Sequence, residues 1–277
     1  MDASLHFQEF GQGLPVLLIH GWELSSVSEQ SDFEPVLSKI RGLRRIYVDL
    51  PGMGKSPANN AQNLDDMYNR LVAFIDTHIG KERFLISGSS AGGHIARGIA
   101  QKYKDQADGL LLRVPAVETD NSKRDLDPFE PLITDTQATE SLSPADNTLL
   151  GGIAIQTAAY IKLFKQKVEQ VYHPAESTAD MATLNTIRSD PSKYTLSFST
   201  DTIFPAPTLI LSGKQDVVTG YRDPYRVLKY YPRATFAALD RATHDLPVDE
   251  AENALFAALV KDWIFRVEEW RAAHKQA

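Results

Sequence analysis

Phe84–Gly93 reads FLISGSSAGG. Its opening belongs to Arg83–Ser87 (RFLIS), a short apolar run of the kind that becomes a buried strand. Small residues break the run, and then Ile95, Ile99 and the alanines beside them recur on one helical face. Gly88-Ser89-Ser90-Ala91-Gly92 is therefore G-x-S-x-G set between a strand and a helix, the context that gives the pattern chemical meaning. A residue at the tip of such a turn sits in strained backbone, and glycines two before and two after let neighbouring backbone approach. The new helix points free N–H groups and its positive dipole end at the same spot. The Ser90 hydroxyl is thereby exposed, and the Ala91 N–H is aimed where an oxyanion would form. Ser89 lacks this framing, because the residue two before it is Ser87. The bland alternative is a glycine-rich turn carrying an inert serine.

Outward from this turn, the chain alternates strands and helices. Leu5–Phe10 alternates apolar and polar side chains, as a half-exposed strand does, and Gly11–Gly13 reads as a turn. Pro15–His20 (PVLLIH), Leu43–Leu50 (LRRIYVDL), Gly109–Val114 (GLLLRV), Pro207–Leu211 (PTLIL) and Ala234–Leu239 (ATFAAL) are further strand-like runs. Between them, Leu64, Met67, Leu71, Phe74 and Ile75 form one helical stripe, and Leu255, Leu259, Trp263, Ile264 and Val267 another. Buried strands alternating with helices predict an α/β fold, a mostly parallel sheet covered on both faces. The alternation stops between 115 and 204, a stretch too long for a plain loop. Its first half is acidic (Glu118, Asp120, Asp125, Asp127, Glu130, Asp135, Glu140). In its second half Ile153, Tyr160, Ile161, Phe164, Val168 and Val171 fall at helical spacings. The expectation is a core of residues 1–114 and 205–277 with an inserted helical cap, 115–204, over the C-terminal sheet edge, where open α/β sheets bind ligands.

A serine hydroxyl needs a base beside it. Of seven histidines, His244 in ALDRATHDLP lies just past the last strand, on the sheet edge that carries Ser90. His20 ends a strand in an HG pair, where a histidine more often braces the loop, and His94 lies on the first turn of the helix after Ser90. Asp216, in LSGKQD one strand earlier, is the candidate to orient the imidazole, with Asp223 as runner-up. The order Ser90, Asp216, His244 is the one expected for a nucleophile at such a turn. A second oxyanion donor should come from the loop after His20-Gly21, which makes the Trp22 N–H the candidate. Its indole would either wall the pocket or pack under the cap.

The chain has 277 residues, 43% hydrophobic and 23% charged, which suits one sizeable globular core. A formal net charge of −7 argues against nucleic acid as a partner. Without cysteine there is no disulfide or thiolate site, and no ligand cluster predicts a metal or other cofactor. The N-terminal MDASLHFQEFGQG lacks the basic and apolar regions of a signal peptide, and no apolar run is long enough to span a bilayer, so cytoplasm is the default expectation. Gly54-Lys55-Ser56 mimics the end of a P-loop, but the leading glycine is replaced by Asp49, so Asp49–Gly54 reads as the turn after a strand. The charges from Arg266 to Lys275 read as a solvated helix.

Together VLLIHGW, DLPGMGKS, GSSAGG, LILSGKQD and THDLP resemble the α/β-hydrolase superfamily, in family order over nearly everything but the cap. Among its subgroups the chain is most similar to small bacterial esterases and proline-iminopeptidase-like enzymes. The resemblance implies an eight-stranded, mostly parallel sheet, a cap after the sixth strand and a serine hydrolase needing no cofactor. The substrate would be a small-molecule ester, thioester or lactone. Two enzymatic alternatives stand beside it: an aminopeptidase whose cap carboxylates hold the substrate amine, and a carbon–carbon bond hydrolase. A non-catalytic ligand-binding or signalling protein on the same fold is the alternative of another class. Three positions depart from the family: Glu23 where glycine is frequent, Ser89 where His, Glu or Asn is frequent, and Ala91 where a bulkier residue is frequent.

Overall fold

Apolar runs too short to make helices become the strands, and in the computed structural model, which describes residues 5–274, they pair almost where they were expected. The first elements are β1 (Phe7–Phe10), β2 (Leu14–Ile19), α1 (Ser26–Leu37), β3 (Leu43–Val48), α2 (Leu64–His78), β4 (Phe84–Ser89), α3 (Ala91–Lys102) and β5 (Ala107–Arg113). The chain then leaves the sheet. It forms β6 (Ile133–Thr134), α4 (Thr136–Glu140), α5 (Pro144–Asn147), β7 (Ile155–Gln156), α6 (Ala158–Lys167), α7 (His173–Thr178) and α8 (Met181–Arg188). It returns as β8 (Thr208–Gly213), α9 (Arg222–Arg226), β9 (Ala234–Leu239) and α10 (Glu250–His274). Met1–Ser4, at the start of the stretch read as lacking a leader, and Lys275, at the end of the charged run, lie outside the described residues. Among the described residues no helix is long and apolar enough to cross a membrane.

The sheet order is β1-β3-β2-β4-β5-β8-β9, parallel throughout except for β1, which runs antiparallel to β3. Eight strands were expected from the family; the described residues give seven. A single strand, β1, forms the antiparallel edge directly against β3, and β9 closes the other edge. For the same reason the 115–204 stretch follows the fifth strand and not the sixth. Alternate residues of β2 face opposite ways: Leu17 and Ile19 join a core with α2 and α3, while Val16 and Leu18 join one with α1 and α10. This two-sided burial is why the strands read as unbroken apolar runs.

The connection from β3 to β4 reverses the direction in which strands are added, so the crevice outside the C-terminal ends of β2 and β4 is the topological switch point. The loops after β8 and β9 reach the same edge. The 115–204 stretch is only partly as read. Its helical half is α6, a wider π-type turn over Val168–Tyr172, and α7, but Ile153 precedes the helix in extended chain and β6 pairs with β7 in parallel. It carries its own small apolar cluster of Ile153, Ile155, Tyr160, Ile161 and Phe164.

Candidate active site

Ser90 occupies the turn between β4 and α3 with φ 52° and ψ −120°, a region L-residues rarely adopt. Close packing forces it. A Cβ on Gly88 would meet the Gly92 carbonyl at 2.3 Å, and one on Gly92 would meet the His20 carbonyl at 2.3 Å. Glu23 (φ 62°) and Val114 (φ 40°) share this unusual backbone sign, and both line the cavity with Ser90. Residues held in such conformations cost about 1–3 kcal/mol each and concentrate at functional sites.

The structure brings Ser90, His244 and Asp216 into one line. His244 Nε2 lies 2.9 Å from Ser90 Oγ, and His244 Nδ1 lies 2.9 Å from Asp216 Oδ2. Asp216 is buried and receives the backbone N–H groups of Val218 (2.8 Å) and Thr219 (3.0 Å), with the Thr219 hydroxyl 2.8 Å from Oδ2. Burial pushes its carboxyl pKa up, but His244 and these donors outweigh burial and hold it below the usual value. Burial likewise pulls the His244 imidazole down, but the Asp216 charge and hydrogen bond outweigh it and set the pKa above 6.5. A carboxylate fixed on Nδ1 leaves Nε2 to face Ser90 as an acceptor. Thr219 was not singled out in the sequence; a hydroxyl three residues past a loop aspartate gives little signal.

The other candidates fall elsewhere. Asp223 pairs with Arg226 (2.7 Å) and accepts the Asp125 N–H. His20 is buried, donating from Nδ1 to the Gly21 carbonyl (2.7 Å) and accepting the Leu50 N–H at Nε2 (2.9 Å), so it braces the loop. Burial drives the pKa of His94 down to about 3. The Ala91 N–H opens α3, and neither it nor the Trp22 N–H donates to a protein acceptor among the described residues. Gly21 lies close enough to Ser90 that a Cβ there would stand 3.2 Å from the serine Cβ. The Trp22 indole lines the cavity and packs edge-on against Tyr194, with ring centroids 4.9 Å apart. Asp49 accepts the N–H groups of Ser26 and Lys55, which closes the turn that mimics a P-loop.

The cavity beside Ser90 measures about 190 Å³. Its wall was not foreseen. None of the seven acids of the Glu118–Glu140 run lines it; Asp125 and Asp127 instead pair with Arg222 and Arg226 on α9. The wall is built from Asp32 of α1, Arg113 of β5, Lys167 just before the π-type turn and Tyr172 at its end, Glu176 of α7 and Asp245. Hydrogen bonding from i to i+5 puts residues five apart on one face, which aims both Lys167 and Tyr172 at the cavity.

This fold has a match among known families. Residues 15–251 match the family model for the alpha/beta hydrolase fold. The chain belongs to the α/β hydrolase fold family. Among curated relatives, the pimeloyl-[acyl-carrier protein] methyl ester esterase of Shewanella woodyi is 32% identical over 111 residues, 40% of each chain. That of Vibrio campbellii is 33% identical over 112 residues, 40% of this chain and 41% of the relative. The chain thus spans about two fifths of the length of the curated relatives it matches. An alpha/beta superfamily hydrolase from Oenococcus oeni superposes with a TM-score of 0.81 at 25% identity, covering 95% of this chain and 97% of that one. A thermophilic esterase from Thermogutta terrifontis (TM-score 0.63, 20% identity, covering 95% and 93%) shares the fold. Of the three departures from the family, Glu23 holds the left-handed backbone that glycine adopts freely, and the Ser89 hydroxyl is engaged by Glu29 and Arg113.

Proposed function

We propose that this hydrolase cleaves a carboxylic ester, thioester or lactone of a small molecule through an acyl-enzyme on Ser90. The observation that carries the reading is the unbroken hydrogen-bonded line from Ser90 through His244 to Asp216 at the mouth of a covered cavity. His244 Nε2 takes the serine proton as Oγ attacks the acyl carbon, and Asp216 stabilises the imidazolium. The N–H groups of Trp22 and Ala91, free of protein acceptors, receive the developing oxyanion. His244 then protonates the leaving group, and water releases the acyl group by the reverse sequence. The esterase names of the curated relatives favour an ester over an amide. None of the acids from Glu118 to Glu140 lines the cavity, so within the 115–204 stretch an aminopeptidase would have to hold its substrate amine on Glu176.

The stretch from 115 to 204 acts in this proposal as a cap. It contributes Lys167, Tyr172 and Glu176 to the cavity wall, and of these Tyr172 and Glu176 help set which acyl or alcohol group fits. The test is hydrolysis of p-nitrophenyl acetate by the wild type and by Ser90→Ala. Turnover should fall by about 10³-fold or more in the variant. Equal turnover in the two proteins would end the assignment of Ser90.

A further inference from the structure

Two cations, Arg113 buried and Lys167 partly buried, tie together the parts of the site that the reaction must keep aligned. The loop after His244 offers three successive carbonyls, and all three are captured. Lys167 Nζ donates to the Asp245 and Pro247 carbonyls at 2.9 Å each, and Arg113 Nη1 donates to the Leu246 carbonyl at 3.2 Å. The same Arg113 reaches the serine side. Its Nε donates to Ser89 Oγ (2.8 Å), and its backbone carbonyl accepts the Ser90 N–H (3.0 Å). Carboxylates of α1 hold both cations in place. Glu29 takes Arg113 Nη2 (2.5 Å) and the Ser89 hydroxyl (2.8 Å), while Asp32 takes Arg113 Nη1 together with Lys167 Nζ (3.0 and 3.1 Å). Glu29, Asp32 and Arg113 are all buried. Replacing them with apolar residues would cost little stability in general, so a charge network kept in a core is better explained by the geometry it fixes.

We propose that Arg113 and Lys167 are positioning residues, holding the His244 loop in register with Ser90. Lys167 ends α6, in the stretch between β5 and β8. Through it the register of His244 depends on how that stretch seats on the sheet edge. Neither cation needs to touch the reacting atoms. Their effect passes through three carbonyls to the imidazole, and a displacement of about 1 Å there costs on the order of 10²-fold in rate.

The proposal rests on the acyl-enzyme reading, and the experiment separates the two. Removing Arg113 would strand two buried carboxylates and disrupt the core, so the test uses Lys167. In Lys167→Met, kcat for p-nitrophenyl acetate should fall about ten- to a hundredfold with KM within about twofold. The downfield proton resonance of the His244–Asp216 hydrogen bond should move or broaden. Lys167→Arg, which keeps charge and donors, should restore most of both. Should Lys167→Met not fold, Lys167→Gln is judged by the same criteria. Unchanged kcat and resonance, a kcat loss with an unmoved resonance, or a change in KM alone would each overturn the proposal. A wild type inert toward the ester whose resonance still responds to Lys167→Met would uphold the positioning role and overturn the ester-hydrolase reading.

Discussion

At the scale of single residues, the site depends on a competition of charges around one imidazole. Burial disfavours the His244 cation, and Arg124 opposes it too, but Asp216 and Asp245 favour it and prevail, so the pKa lies above 6.5. Only neutral His244 can take the serine proton. Activity should therefore be low in acid and rise with pH through a midpoint above 6.5. Replacing Asp216 with Asn removes the charge that does most to raise the pKa and leaves burial, so that midpoint should move down. The same change frees the tautomer, and kcat should fall by a factor on the order of 10⁴. A pH–rate profile of kcat/KM for both proteins checks the shift, and an Asn variant with an unmoved midpoint would show that Asp216 does not govern the base. Ser90, Asp216 and His244, which the structure brings together, are singled out in the sequence because each follows a strand within a short recognisable phrase. Thr219, Glu29 and Asp32 were not, because their roles come from what folding places beside them.

Among the elements, the turn between β4 and α3 is the most tightly determined. The strand and helix on either side were legible from periodicity, and the glycines from their spacing. Packing explains the glycines further. A Cβ on Gly92 would stand 2.3 Å from the His20 carbonyl and 2.5 Å from that of Ile19, both rigid backbone of β2 and its exit. Gly92→Ala should therefore lose about 2 kcal/mol or more in urea unfolding, and a variant as stable as the wild type would contradict this account of the turn. Helix α1 was not legible at all. Its buried positions include Ser26, Ser28, Glu29 and Asp32 beside Phe33, Val36 and Leu37, so its apolar stripe is confined to the C-terminal end and too short to read. That polar face is the one that holds Arg113 and Lys167. Arg113 itself was read only as part of a strand, although an arginine inside the apolar run GLLLRV is the one sequence signal that a buried carboxylate partner must exist.

Across the whole molecule, two large apolar cores lie on the faces of the sheet, and a third, small one lies in the stretch between β5 and β8. Local opening follows local burial. Hydrogen–deuterium exchange should therefore be faster in α6 and α7 than in β2, β4 and β5, and equal protection would show that these two helices are as rigid as the sheet. The alternation of strand and helix made the sheet predictable, down to β9 spanning Ala234–Leu239 as read. The stretch between β5 and β8 is harder, because short helices, a π-type turn and a two-residue strand pair leave no sustained period. Its acids misled for a related reason: composition shows that charges exist, but not that Asp125 and Asp127 would be taken up by Arg222 and Arg226. The central claim is that Ser90 is made nucleophilic by His244 across a 2.9 Å contact. Mass-spectrometric mapping of a fluorophosphonate adduct, with its rate of formation, tests this most directly. The wild type should be modified rapidly and only at Ser90, and His244→Ala should react more slowly by about two orders of magnitude or more. An adduct on another residue, or equal rates in the two proteins, would contradict it.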